Sequence, residues 1–246
     1  MTDLVYENNI TTKIIYLCYC AVNKMTPEPE KIAGFDLDHL YEAAQKHMLA
    51  SMIGQILQKA GVTTPAFKTA ISKAQRKIVI LTDDLSKIVS ALEAAEVWYM
   101  PLKGAVLKNY YPSFAMREMS DIDILFDATC AEEVKTIMKG LGFQVKSFGT
   151  SNDDDYLKPP VSNCEMHRAL FGDKHDRKLY EYYKDVKHHL LKDEGNNYGY
   201  HFSPEDFYIF MIAHEYKHYS TGGTGLRSLL DTYVYLQKNE LDMTYV

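Results

Sequence analysis

The chain is predicted to be an α+β protein, a small mixed β-sheet flanked by helices, with an N-terminal helical subdomain on one side of the core in sequence and a C-terminal helical one on the other. Three observations predict this. Apolar residues recur at helical spacing from Ile10 to Ala95 with few helix breakers. From Val97 onward the period changes to short apolar strands alternating with helices. After Ser203-Pro204-Glu205 the helical spacing returns. The boundaries that follow are residues 1–95, 96–200 and 201–246.

The first subdomain reads as helices over Ile10–Val22, Leu37–Ala60 and Pro65–Glu96, with Pro27 and Pro29 separating the first two and Gly61 ending the second. Val97–Leu102 reads as a strand, Gly104 as a turn that opens a short helix over Ala105–Tyr110, and Ile122–Phe126 as the central strand. An amphipathic helix over Cys130–Leu141 ends at Gly142, and Phe143–Phe148 forms a further strand. Residues 149–160 carry Asp153-Asp154-Asp155 and Pro159-Pro160, a composition expected of a solvated surface connection. A short apolar–polar alternation covers Asn163–His167. The stretch to Tyr200 is polar and rich in tyrosine, and its His175, Asp176 and Arg177 suggest no role. Ser203 caps a helix with Pro204 at its first position, running to about His218. Gly222-Gly223-Thr224-Gly225 then turns into a last helix, Leu226–Gln237.

At 246 residues and 46% hydrophobic, the chain can bury a substantial core. Lys and Arg number 27 against 33 Asp and Glu, a net charge of −6, so no global positive field draws in a nucleic-acid backbone. An extended nucleic acid is therefore disfavoured as a partner. The four cysteines, Cys18, Cys20, Cys130 and Cys164, form no Cys-x-x-Cys pair and read as reduced core residues of a cytoplasmic protein. The apolar run Ile14–Val22 follows Asp3 and Glu7, with Lys13 the one basic residue nearby, which excludes a secretory signal. No run approaches the length of a membrane span. The sequence ends at Asp242–Val246 without a terminating signal after the last helix, as a shortened product of a longer gene would.

The chemistry centres on Ser120-Asp121-Ile122-Asp123-Ile124-Leu125-Phe126. On a strand, residues i and i+2 share a face, so Asp121 and Asp123 are expected to project together. Two carboxylates so close in an apolar strand repel one another and lose solvation, which calls for a compensating cation. Mg²⁺, which takes one or two carboxylates plus substrate phosphates, suits such a pair, and Mn²⁺ is the alternative. Phosphoryl or nucleotidyl transfer is the reaction class indicated.

Here the chain resembles the uncharacterised nucleotidyltransferases of the DNA polymerase beta superfamily. That pattern is an apolar strand, a glycine turn opening a helix, an Asp-apolar-Asp strand and a later third carboxylate. Val97–Leu102, Gly104 and the Asp121/Asp123 pair fill the first three places, and Glu165 the fourth. Leu102-Lys103-Gly104-Ala105, Tyr110-Tyr111-Pro112 and Arg117 are similar to the subfamily's wording, as are His47 in an upstream helix and Asp231 in a late one. The resemblance covers roughly residues 36 to 236, and its specific part runs from Lys103 to Asp123.

What the resemblance implies is a Mg²⁺-dependent enzyme that moves a nucleoside monophosphate from a nucleoside triphosphate such as ATP to a hydroxyl acceptor, a small molecule or a protein. Asp121, Asp123 and Glu165 would be both catalytic residues and ligands of two metal ions. Lys103, Gly104, Ala105, Arg117 and Ser120 would contact the nucleotide. Ala105 stands where the wider superfamily has a Ser or Gly that helps hold phosphates, so a catalytically inactive nucleotide- or partner-binding module of the same fold is the alternative.

The bland readings are an acidic edge strand for the Asp pair, with Arg117 pairing one of them, and an exposed strand-end cation for Lys103. Asp231 has Arg227 four residues earlier as a helical ion-pair partner. A third functional reading comes from His214-Glu215-Tyr216-Lys217-His218, which places two imidazoles on one helical face as a zinc hydrolase requires. Against it, no histidine follows His218, and Thr221 stands where the extended motif needs Gly. Gly222–Gly225 lacks the Gly-Lys-Ser/Thr ending of a phosphate loop and reads as a turn.

Overall fold

A computed structural model of the chain describes residues 9–173 and 177–246, so Asp3, Glu7, His175 and Asp176 lie outside the described residues. The architecture is α+β, a five-stranded mixed sheet with ten helices among the described residues. The chain divides into two compact units built from interleaved segments. One comprises Met1–Ile78, Leu107–Glu118 and His218–Lys238; the other comprises Val79–Val106, Met119–Lys217 and Asn239–Val246.

The first unit is helical. Helix α1 (Ile10–Val22) starts where the Asn9 side chain accepts the Thr11 amide at 2.8 Å, filling one of the amides that a helix start leaves unpaired. A short α2 (Pro29–Ile32) follows, then α3 (Leu37–Lys46), capped by Asp36, and α4 (Ala50–Lys59). The expected single helix over Leu37–Ala60 is thus two. The break falls at Met48, which takes a left-handed φ of 55°, and the Glu118 carboxylate accepts the Ser51 amide at 2.8 Å at the start of α4. Helix α5 spans Pro65–Ala94. Gly54 lets α4 lie close to it, since a Cβ there would meet the Phe67 Cβ at 3.1 Å. The core of this unit gathers Leu17, Leu40, Met52, Ile53, Leu57 and Phe67 with their neighbours.

In the second unit, strands β1 (Tyr99–Pro101), β2 (Ile122–Phe126), β3 (Gln144–Ser147), β4 (Asp153–Lys158) and β5 (Ser162–His167) form a sheet in the order β1-β2-β5-β4-β3. β2 is antiparallel to β1 and parallel to β5, which makes the sheet mixed, and all five of its residues are buried. Between β1 and β2 lies the four-residue helix α6 (Gly104–Leu107); between β2 and β3 lies α7 (Ala131–Gly140). The segment expected as a surface connection instead supplies β4. Tyr156 and Asp154 are fully buried on one face of that strand, and the Asp154 carboxylate is satisfied by Arg168 Nε at 2.8 Å and the Gly149 amide at 2.7 Å. Helix α8 (Arg177–Tyr183), the hairpin of β6 (Leu190–Lys192) and β7 (Tyr200–Phe202), and helix α9 (Pro204–Thr221) follow, before α10 (Leu226–Leu236). No described helix is long and apolar enough to cross a membrane.

Candidate active site

The site is built by strand register. Asp123 on β2 and Glu165 on β5 are direct Cα partners in the parallel ladder, so their side chains leave the same face of the sheet. Two residues on, Leu125 faces His167, which puts the imidazole on that face as well. β4 adds Asp155 opposite Glu165 and Asp153 opposite His167. The face is thus strongly acidic, although Asp155 is engaged by Ser147 Oγ at 2.9 Å and Asp153 by the Ser151 hydroxyl.

Asp123 is 4% exposed and its Oδ1 accepts from Lys103 Nζ at 2.7 Å; His167 Nε2 lies 2.9 Å from the same oxygen. Burial alone would raise the Asp123 carboxyl, but the Lys103 ammonium and the His167 ring override it and hold the carboxyl well below the usual range. For Lys103, burial works against the charge and the Asp123 anion outweighs it, keeping the ammonium above its ordinary value. Glu165 shifts the other way, to about 7, because it is buried and stands beside the Asp123 anion. One carboxylate is thus a fixed anion and the other a group that titrates near neutrality.

Ligand-bearing atoms of Asp123, Glu165 and His167 lie within 4.8 Å of one another, the one such group of three or more His, Cys, Asp or Glu side chains among the described residues. Two carboxylates and an imidazole fit a divalent ion of the Mg²⁺ or Mn²⁺ kind, the nitrogen favouring Mn²⁺. His167 is the member that sequence reasoning missed. Its signal was present, since it lies two residues beyond Glu165 on the same strand.

The remaining sequence candidates divide between the two units. Asp121 lies one residue ahead of β2, half-buried, and its charge acts on both Lys103 and Glu165. Ser120 precedes it. Gly104 opens α6, and the Ala105 amide, buried with its side chain, donates to the Leu102 carbonyl at 3.2 Å. Arg117 belongs to the first unit, where its Nε and Nη2 meet Asp231 Oδ1 and Oδ2 at 2.8 and 2.9 Å. Asp231, expected beside Arg227, also accepts the Tyr111 hydroxyl at 2.6 Å. His214, Glu215 and His218 lie on α9 and take no part in a three-ligand group among the described residues, which leaves the zinc reading without a third ligand.

A mixed sheet thus sets paired acidic side chains beside a glycine turn, and the family follows from the sequence. Residues 33–246 match the family of uncharacterised nucleotidyltransferases, and the chain belongs to that family. Two solved structures are similar in part. The lincosamide antibiotic adenylyltransferase LnuA, bound to lincomycin, is 16% identical with a TM-score of 0.45, covering 64% of this chain and 97% of that one. An antigenic nucleotidyltransferase-like protein from Paracoccidioides brasiliensis is 16% identical with a TM-score of 0.40, covering 63% and 75%. No curated protein gives a significant sequence match.

Proposed function

We propose that this protein transfers a nucleoside monophosphate from a nucleoside triphosphate to a hydroxyl acceptor, a small molecule or a protein, with release of pyrophosphate. Membership of the family supports nucleotidyl transfer in general. The observation that carries the reading is the register of β2 and β5, which sets Asp123 beside Glu165 with His167 within ligand distance. Asp123, Glu165 and His167, with Asp121 beside them, would hold Mg²⁺ or Mn²⁺, which supplies charge neutralisation for the triphosphate and the departing pyrophosphate.

In the transfer, the acceptor oxygen attacks the α-phosphorus, a new P–O bond forms, and the bond to the bridging oxygen breaks with its electron pair leaving on pyrophosphate. Glu165 takes the hydroxyl proton, being the carboxylate of the group that Lys103 does not engage. Lys103 holds Asp123 in its ionised form and in place. Gly104 and Ser120 border the nucleotide. The cytoplasm is the compartment that suits reduced cysteines and a nucleoside triphosphate substrate.

The test is transfer of label from α-labelled ATP, GTP, CTP and UTP with Mg²⁺ or Mn²⁺, alongside thermal stabilisation by each nucleotide. Metal-dependent stabilisation and labelled product that are both lost in Asp123→Asn are the expected result. No stabilisation by any nucleotide with either metal would sink the proposal. The second reading, an inert binding module, is favoured by the Ala105 amide, which is already committed to Leu102 and so withheld from a phosphate. Stabilisation without labelled product is the outcome that selects it.

A further inference from the structure

The contact by which Lys103 holds Asp123 has a further consequence for how many ions the site can take. Its ammonium sits 2.7 Å from Asp123 Oδ1, the same oxygen that lies 2.9 Å from His167 Nε2. Two nitrogens therefore crowd one carboxylate oxygen, and Oδ2 is the oxygen that neither of them engages. The ammonium is held there by the backbone. The Leu102 amide donates to the Asp123 carbonyl at 2.9 Å, prolonging the β1–β2 ladder by one residue up to Lys103. Lys103 itself takes a left-handed φ of 43°, a conformation that costs energy in a residue with a side chain and persists where the surroundings impose it. Its side chain is only 22% exposed.

We propose that Lys103 is a built-in cation of the site, occupying Asp123 Oδ1 in place of a second metal ion, so that the protein works with one divalent ion rather than two. The inference rests on the proposed transfer reaction. A carboxylate that bridged two ions about 3.5–4 Å apart through its two oxygens would need Oδ1 for one of them. An ion bound to Oδ1 would stand about 2 Å from it, on an oxygen whose approach is already filled by an ammonium and an imidazole. Asp123 Oδ2, Glu165 and His167, with Asp121 beside them, would then hold one ion. The ammonium then supplies fixed positive charge on the other side of Asp123, where it orients that carboxylate and needs no metal to be recruited.

The experiment counts ions. Binding of Mn²⁺ is titrated by the electron paramagnetic resonance signal of the free ion, for the wild type, Lys103→Arg and Lys103→Met. Each is measured alone and with the α,β-methylene analogues of the four nucleoside triphosphates, corrected for metal bound by the analogue itself. One ion per chain in the wild type and Lys103→Arg, and two in Lys103→Met with an analogue present, is the expected result. Two ions in the wild type overturn the inference while leaving the transfer reading intact. One ion in all three forms also overturns it, since removing the ammonium would then have freed nothing. No ion bound by any form sinks the metal reading of the proposed function, and this inference with it. Should Lys103→Met fail to fold, as judged by circular dichroism, the wild-type count with each analogue decides.

Discussion

Arg117 and Asp231 meet through two parallel hydrogen bonds, Nε to Oδ1 at 2.8 Å and Nη2 to Oδ2 at 2.9 Å, with both side chains less than a tenth exposed. The Tyr111 hydroxyl completes the arrangement on Oδ1 at 2.6 Å. Removing one partner of a buried, forked pair strands the other charge away from water. Asp231→Ala is therefore expected to lower the unfolding free energy by about 3–5 kcal/mol. Arg117→Lys, which keeps the charge but loses the fork, should cost less. Urea denaturation of both variants, with the double mutant to give the coupling, checks this. A loss under about 1 kcal/mol for Asp231→Ala would mean that the pair does not hold this unit together.

The pairing of Arg117 also explains how far the sequence was legible. Asp123 is legible because it stands in a short apolar strand whose alternation is local, and Glu165 follows from the family resemblance together with the apolar–polar alternation around it. His167 obeys the same alternation, but a lone histidine after a glutamate carries no distinctive spacing. β4 was hidden because three successive acidic residues beside two prolines look like a solvated loop. The buried member, Asp154, is rescued by Arg168, which lies on the far side of β5 in sequence. The break between α3 and α4 had no Gly or Pro to mark it, and the carboxylate at the start of α4 comes from Glu118, far along the chain. Arg117 lies close in sequence to Asp121, and its hydrogen-bond partner Asp231 lies on the last helix. Of the residues that carry the family resemblance, Asp123, Lys103 and Glu165 cluster at the acidic site. His47, Tyr111, Arg117 and Asp231 serve the first unit, where His47 Nδ1 accepts the Leu226 amide at 3.3 Å.

A second buried anion, Asp84 on α5, is 3% exposed and accepts from Lys158 Nζ at 2.7 Å and Ser162 Oγ at 2.5 Å. These bonds tie the adjoining ends of β4 and β5 to the helix. Ser162→Ala removes one charge-assisted bond and should cost about 1–3 kcal/mol. Asp84→Ala should cost more, because Lys158 is then left partly buried without its anion. Native-state hydrogen exchange reads the effect locally. Faster exchange of the β4 and β5 amides, with α1 and α3 little changed, is expected. Uniform change across the chain would show that the contact has no local role.

His167→Gln separates support of Asp123 from bulk packing. The imidazole lies against Asp123 Oδ1 and 3.7 Å from Glu165 Oε2, so its loss loosens both acidic groups. Partners and ligands of this kind are typically worth about 10- to 100-fold in metal affinity or activity. A weakening of Mn²⁺ binding in that range, followed by titration calorimetry, is expected, and the thermal midpoint should fall by only a few degrees. Unchanged Mn²⁺ affinity would remove His167 from the site.

Glu165 makes a prediction about pH in the metal-free protein. Its carboxyl is raised from 4.5 to about 7 by burial and by the Asp123 anion, so the folded chain binds that proton more tightly than the unfolded chain does. The resulting stabilisation is complete below about pH 4.5 and is lost as the pH rises through 7. Over this range the loss is on the order of 3–3.5 kcal/mol, since the rise from 4.5 to about 7 is about 2.5 tenfold steps in proton affinity and each corresponds to about 1.4 kcal/mol. Asp123 acts in the opposite sense and in a lower range: its depressed carboxyl contributes stability that is present above about pH 4 and lost on acidification. The two are therefore separable. In the presence of a chelator, the urea midpoint of the wild type should fall between about pH 5 and pH 8 relative to that of Glu165→Gln, whose side chain does not titrate. Adding Mn²⁺ should reverse the fall, because a bound cation favours the ionised carboxylate that the metal-free site resists. Parallel pH profiles for the two proteins would show that Glu165 ionises in its ordinary range.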